Sequence, residues 1–277
     1  MAVTAADVSK LRKMTGAGMM DCKHALEEAN GDYEKAVEII RKKGQLVASK
    51  RADREAGQGV VLAKASADGK RGAMIVLNCE TDFVAKNENF INFARSILNL
   101  AVEKNPADLD ALKQLTMEGR KVGDQVTEQV GIIGEKIELS YYNKIEASQV
   151  VAYIHMGNML ATLVGLNKTT SLQTGKDVAM QVAAMNPVAV DKDSVPASTI
   201  AKEKEIALEQ TKNDPRNQGK PASILERIAE GKLEKFFKEG TLLNQEFTKD
   251  SSKTMRQYLQ SVDKDLTVTG FLRYSLK

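Results

Sequence analysis

The chain has 277 residues, of which 42% are hydrophobic and 28% charged, and its 40 basic and 37 acidic side chains leave a formal net charge of +3. That is the make-up of a globular protein with room for two or three domains, and it lacks the concentrated positive charge that sequence-independent nucleic-acid binding requires. The two cysteines, Cys22 and Cys79, lie far apart, no uncharged apolar run reaches the length of a membrane helix, and Met1 to Lys10 hold no apolar core with a cleavage site, so a cytoplasmic protein without disulfides is expected.

Thr4 is placed to cap a first short helix carrying Val8 and Leu11, which Gly16 and Gly18 end. A second helix from about Asp21 turns Cys22, Ala25, Leu26 and Ala29 to one side and stops at Asn30 and Gly31. A third begins at Asp32, sets Tyr33, Ala36, Val37 and Ile40 at helical spacing, and is expected to end at Gly44. These make a three-helix bundle too small to be very stable alone. Arg41 to Arg54 is rich in Lys and Arg with Asp53 as its single acid, which reads as a solvated linker or a frayed helix end, with RNA contact as the functional alternative. A first domain, bundle plus linker, is expected over 1–54.

The remainder shows a weak internal repeat of strand, tight turn, strand and helix. In the first copy, Val60 to Ala65 and Ala73 to Leu77 are strands joined around Asp68 and Gly69, followed by a helix with Phe90, Phe93, Ala94, Ile97, Leu98 and Ala101 on one face. In the second, Val150 to His155 and Met159 to Leu166 are joined around Gly157 and Asn158, and Val178, Ala179, Val182 and Ala183 mark the helix. Ile137 to Ile145 and Leu266 to Tyr274 read as further strands of the second copy. An α+β class follows: two similar subdomains, each with helices on one side of an antiparallel sheet, expected over 55–140 and 141–277. Ser198 to Glu239 returns to helical spacing, broken by Asn213, Asp214, Pro215 and Gly219 to Pro221, so an antiparallel helical hairpin is expected as an insert over about 199–239.

Chemistry of the covalent kind has little to work with. His24 and His155 are the only histidines, so no Ser-His-Asp or Cys-His constellation is in view. Cys22 and His24, two apart on a helix, point to different faces and do not make joint metal ligands. Gly57 and Gly59 are followed by a strand where a phosphate cradle needs a helix, and no Gly-Lys-Ser or Gly-Lys-Thr occurs. No enzyme, no metal and no cofactor are expected. One run stands out: Asn78 to Lys86 spills from a strand end into polar residues with an aromatic beside a carboxylate. Either Thr81 or Asp82 caps a turn while Phe83 tucks into the core, or the loop presents its acid and aromatic to a partner's pocket.

Leu11, Arg12, Thr15, Gly16, Gly18, Met19, Met20, Asp21, Cys22, Lys23, Ala25 and Leu26, and then Asn78 to Lys86, resemble the two signature runs of the bacterial elongation factor Ts family, and the similarity continues through Tyr153 to His155, Leu242 to Phe247, Phe271 and Arg273. The resemblance implies an amino-terminal ubiquitin-associated-like (UBA-like) helical domain, a two-part core and a helical hairpin. It implies a guanine-nucleotide exchange factor that binds the GTPase elongation factor Tu and promotes GDP release so that GTP can reload. Thr81, Asp82, Phe83 and Val84 would then disturb the partner's magnesium site, with Leu11, Arg12, Met20 and His155 as further contacts. After His155, Met156 to Leu160 stand where many family members carry a glycine-rich stretch with an arginine.

Overall fold

The computed structural model describes residues 3–276; Met1 and Ala2 of the expected first domain and Lys277 of the last lie outside the described residues. Helix α1 (Ala5–Thr15) opens with a reciprocal cap, in which the Asp7 N–H donates to the Thr4 hydroxyl and the Thr4 N–H to the Asp7 carboxylate, and it closes on Gly16 at a φ of 73°. Helix α2 (Met19–Glu28) and helix α3 (Tyr33–Lys50), capped by Asp32, complete the bundle around Leu11, Cys22, Leu26 and Ala36.

Strands β1 (Gln58–Ala65) and β2 (Arg71–Cys79) pair as a hairpin with Gln58 opposite Cys79 and Gly69 in the turn at a φ of 68°. Gly59 is glycine by necessity: at a φ of 146°, any side chain there would run into the Leu77 carbonyl of the paired strand. There follow the single turn α4 (Asp82–Ala85), α5 (Glu88–Lys104), α6 (Leu109–Gln114), a small ribbon of β3 (Thr116–Met117) and β4 (Arg120–Lys121), α7 (Val122–Ile133) and β5 (Glu138–Glu146). Strand β5 pairs with β2, giving the order β1-β2-β5. Ile137 to Ile145 therefore belongs to the first sheet and not to the second copy, and a boundary between 140 and 141 would cut a strand in which Tyr141 and Tyr142 face Val76 and Ile75.

The second sheet, ordered β10-β7-β6, is built from β6 (Gln149–Ile154), β7 (Leu160–Leu166) and β10 (Val268–Ser275). Between β7 and β10 lie α8 (Leu172–Met185), α9 (Ala197–Asn213), α10 (Ala222–Gly240), a ribbon of β8 (Glu246–Phe247) and β9 (Asp250–Thr254), and α11 (Met255–Val262). The repeat is thus longer than periodicity disclosed: hairpin, helix, short ribbon, helix, and a third strand beside the second of the hairpin. Helices α9 and α10 are interposed in the second copy only. Their root is narrow, with the Val188 N–H donating to the Gly240 carbonyl at 2.8 Å and Ala189 bridging to Thr241, and Val195, Phe237, Ile200 and Leu233 packed at the base.

The sheets stack face to face through Val61, Ala63, Met74 and Val76 on one and Val150, Ala161 and Leu163 on the other. Apolar side chains of α5 and α7 cover the outer face of the first sheet, and those of α8 and α11 that of the second, which makes a four-layer α+β core. Among the described residues no helix is long and apolar enough to cross a membrane.

Helix α3 does not end at Gly44. It runs on to Lys50 and crosses α7 where Gly44 meets Gly131, so close that a Cβ on Gly131 would stand 2.5 Å from the Gly44 Cα. A glycine that imitates a helix stop is here the contact point of two helices. Val47 and Ala48, beyond it, pack against the core of the first subdomain. Nor is the basic run a linker: it continues α3 as far as Lys50, with Arg41 paired to Glu128, Lys42 to Glu38, Lys43 to Asp21, and Arg51 and Arg54 both to Glu80.

Candidate functional site

Strand β2 ends at Cys79, whose buried thiol donates to the Thr81 carbonyl at 3.1 Å and is pushed up to about 12 by burial, with the Glu135 charge acting in the same direction. The chain then leaves the sheet and Thr81 caps α4, its hydroxyl accepting from the Val84 N–H at 3.4 Å. Gly134, at a φ of 81°, ends α7 and delivers Glu135 to this turn. The Glu135 carboxylate accepts from the Glu80 N–H at 3.1 Å, the Thr81 N–H at 3.0 Å and the Thr81 hydroxyl at 2.6 Å. In return the Glu80 carboxylate accepts from the Lys136 N–H at 2.6 Å and from Arg51 and Arg54, each at 3.0 Å. The Lys136 N–H, followed by the two guanidinium groups, holds Glu80 below the usual carboxylate range against the opposing effect of desolvation.

On this fixed base the side chains divide. Val84 is half-buried and packs against the first core, whereas Asp82 and Phe83 point outward. Phe83 is 82% exposed. The alternative in which its ring tucks into the core is therefore overturned: with Thr81 bonded inward and Val84 filling the apolar side of a one-turn helix, the intervening positions face solvent. The Lys86 ammonium, 2.6 Å away, keeps the Asp82 carboxyl below its ordinary value, so it is ionised at neutral pH.

Two further patches lie elsewhere. His155 sits at the tip of the β6–β7 hairpin, its N–H donating to the Leu160 carbonyl at 2.8 Å and its Nδ1 lying 2.8 Å from the Tyr153 hydroxyl. Beside it Met156 is 90% exposed, and the tip is tied to β1 by the Val61 N–H donating to Asn158 at 2.7 Å. On the bundle, Arg12 is exposed and Met20 is 60% exposed, flanked by exposed Met14 and Met19. Leu11, expected beside them, is completely buried among Cys22, Leu26 and Ala36, so in this structure it shapes the bundle that carries Arg12 and Met20. Cys22 is buried and His24 exposed on the same helix, and among the described residues no three acidic, His or Cys side chains converge as metal ligands. Sequence reasoning missed Glu80, Glu135, Lys136, Arg51 and Arg54. The only signals were that Glu80 lies inside the quoted run and that Glu135 follows a helix-ending glycine.

A profile of the family described as Elongation factor TS matches residues 80–277, well over half of the chain. The chain belongs to the elongation factor Ts family. It is 52% identical over 277 residues to an elongation factor Ts of Porphyromonas gingivalis, covering 100% of this chain and 99% of that protein. It is 51% identical over 276 residues to that of Amoebophilus asiaticus, covering 99% and 98%, and 48% identical over 276 residues to that of Flavobacterium psychrophilum, again covering 99% and 98%. These full-length matches take in the amino-terminal bundle, which the profile does not reach. Membership makes the protein a translation elongation factor, at work in protein biosynthesis.

Proposed function

We propose that the protein acts as a guanine-nucleotide exchange factor on elongation factor Tu in the cytoplasm, displacing the magnesium ion and promoting GDP release, with no covalent chemistry of its own. The observation that carries this is the pairing of an 82% exposed Phe83 with an ionised Asp82 on a turn fixed by hydrogen bonds from two other chain segments. An aromatic held out in water on a rigid base is the geometry of an interface anchor, because little freedom remains to be lost when it enters a pocket.

Exchange of this kind is linkage: a protein that favours the nucleotide-free form of a GTPase weakens the nucleotide by the factor by which the nucleotide weakens that protein. Magnesium bridges phosphate oxygens to protein and water ligands, so a wedge that shifts this network removes much of the hold on GDP. Phe83 supplies the wedge, Asp82 a negative charge that competes for the groups around the cation, and Thr81 and Val84 the base. Arg12 and Met20 on the bundle, and His155 with Met156 at the hairpin tip, supply docking contacts. The other reading, RNA contact through the basic run, loses support because Arg41, Lys42, Lys43, Arg51 and Arg54 each have an acidic side chain beside them, which offsets much of the run's positive charge.

The test is release of fluorescent GDP from elongation factor Tu. Loss of an aromatic anchor worth about 2 kcal/mol lowers a rate about thirtyfold, so Phe83→Ala with Asp82→Ala should depress the maximal release rate by that order while binding to the nucleotide-free GTPase persists. A release rate that excess parent protein leaves unchanged would refute the proposal outright.

A further inference from the structure

Residues 51–54, 80–81 and 135–136 meet beneath the exposed turn, and none of the three segments belongs to a helix or strand. The N–H groups of Arg51, Ala52 and Arg54 close turns onto backbone carbonyls, whereas those of Glu80, Thr81 and Lys136 have no ladder partner and are taken by side chains. Glu135 takes two successive N–H groups and one hydroxyl of the turn, while its neighbour Lys136 is fixed in turn by Glu80 and by its own ammonium, which donates to the Ala52 and Arg54 carbonyls at 2.8 and 2.9 Å. Phe83, being exposed, contributes nothing to this hold, so the direction in which its ring points is set from below.

We propose that Glu135 is a positioning residue for Asp82 and Phe83: it never meets the partner, and acts by keeping the Thr81 to Val84 turn in the projecting form that a GTPase pocket accepts. Its functional consequence rests on the exchange reading above, whereas the clamp itself does not. A turn that wanders between conformers offers the wedge only part of the time, and the lost fraction appears in the rate of the complex and not in its formation, since docking is spread over other patches.

The experiment uses full-length Glu135→Ala and Glu135→Gln. In the free protein, amide hydrogen exchange at Glu80 and Thr81 should quicken about tenfold or more in Glu135→Ala, since both N–H groups lose their acceptor. Glu135→Gln keeps an acceptor oxygen for the two N–H groups and an amide for the Thr81 hydroxyl, so protection should return to near the parent level. With GDP-loaded elongation factor Tu, Glu135→Ala should lower the maximal release rate about tenfold while the half-saturating concentration moves less than about threefold, and Glu135→Gln should restore the rate. A residue that only stabilised the fold would lower the melting temperature and leave that split unmoved. Parent-like protection at Glu80 and Thr81 in Glu135→Ala overturns the clamp, and a parent-like maximal rate with loosened amides overturns the positioning role. Should excess parent leave GDP release unchanged, it is the exchange reading that fails, and should Phe83→Ala release GDP as the parent does, the wedge role of Phe83 fails; in both cases the amide measurement still decides the clamp. Glu135→Asp, whose shorter side chain withdraws the carboxylate from both N–H groups, is read in the same way if Glu135→Ala does not fold.

Discussion

The crossing of α3 and α7 gives a prediction in which two facing glycines behave oppositely. A Cβ at Gly131 would stand 2.5 Å from the Gly44 Cα, a backbone atom that no rotamer change can move aside. Carbon atoms rest about 3.5–4.0 Å apart, so Gly131→Ala must drive the helices apart by about 1 Å. Overpacking of that kind costs roughly 1–3 kcal/mol, from which the better helix propensity of alanine returns about 1 kcal/mol, leaving a net loss of up to about 2 kcal/mol. A Cβ at Gly44 meets its nearest atom, the Gly131 Cα, at 3.7 Å, an ordinary contact, so Gly44→Ala should be neutral or stabilise by up to about 1 kcal/mol. Urea unfolding followed by far-UV circular dichroism, with amide exchange in α3 as a local reading, measures both. Gly131→Ala as stable as Gly44→Ala would refute the crossing geometry and with it the continuous α3.

Cys79, buried and with its thiol pushed up to about 12, should resist maleimide at neutral pH in the native protein and react promptly in urea; fast native labelling would show that the end of β2 opens. Glu80 has a native value below the usual 4.5 of a glutamate, so it adds stability that is fully present above about pH 4.5 and is lost as the pH falls through its native value. Thermal melts between neutral pH and pH 3 should fall more steeply for the parent than for Glu80→Gln, and parallel curves would contradict the assignment. Removing residues 1–54 takes Val47 and Ala48 from the core and Arg51 and Arg54 from Glu80, so the truncated chain should melt about 5 °C lower than the full one, and an unchanged melting temperature would mark α3 as a mere tether.

What could be read from the chain was whatever is local. The stripe of Phe90, Ala94, Ile97 and Leu98 writes α5 directly, Thr4 and Asp32 announce their caps, and Asp68-Gly69 and Gly157-Asn158 place both hairpin turns. The α+β class and the inserted pair of helices follow from those elements. Pairing is a different matter: nothing along Glu138 to Glu146 says that its neighbour is β2, because alternation fixes faces and not partners. Gly44 misled because a glycine inside a helix carries the same letter as one that ends it. In the exposed turn the aromatic and the acid were visible by their oddity, but Glu135 was not, since a carboxylate that collects backbone N–H groups from a segment distant in sequence leaves no local pattern.

The narrow root of α9 and α10 bears on how such a chain can change over generations. The strands and helices of the core never pass through the pair, and Val188 and Gly240 are already hydrogen-bonded neighbours where it begins and ends. Lengthening or trimming it asks for no new register and no repacking of either sheet, and a longer excursion adds only slowly to the entropy of closure. Insertions and deletions among descendants of a common ancestor should therefore collect at this stem, leaving the layered body at constant length while the arm drifts in reach.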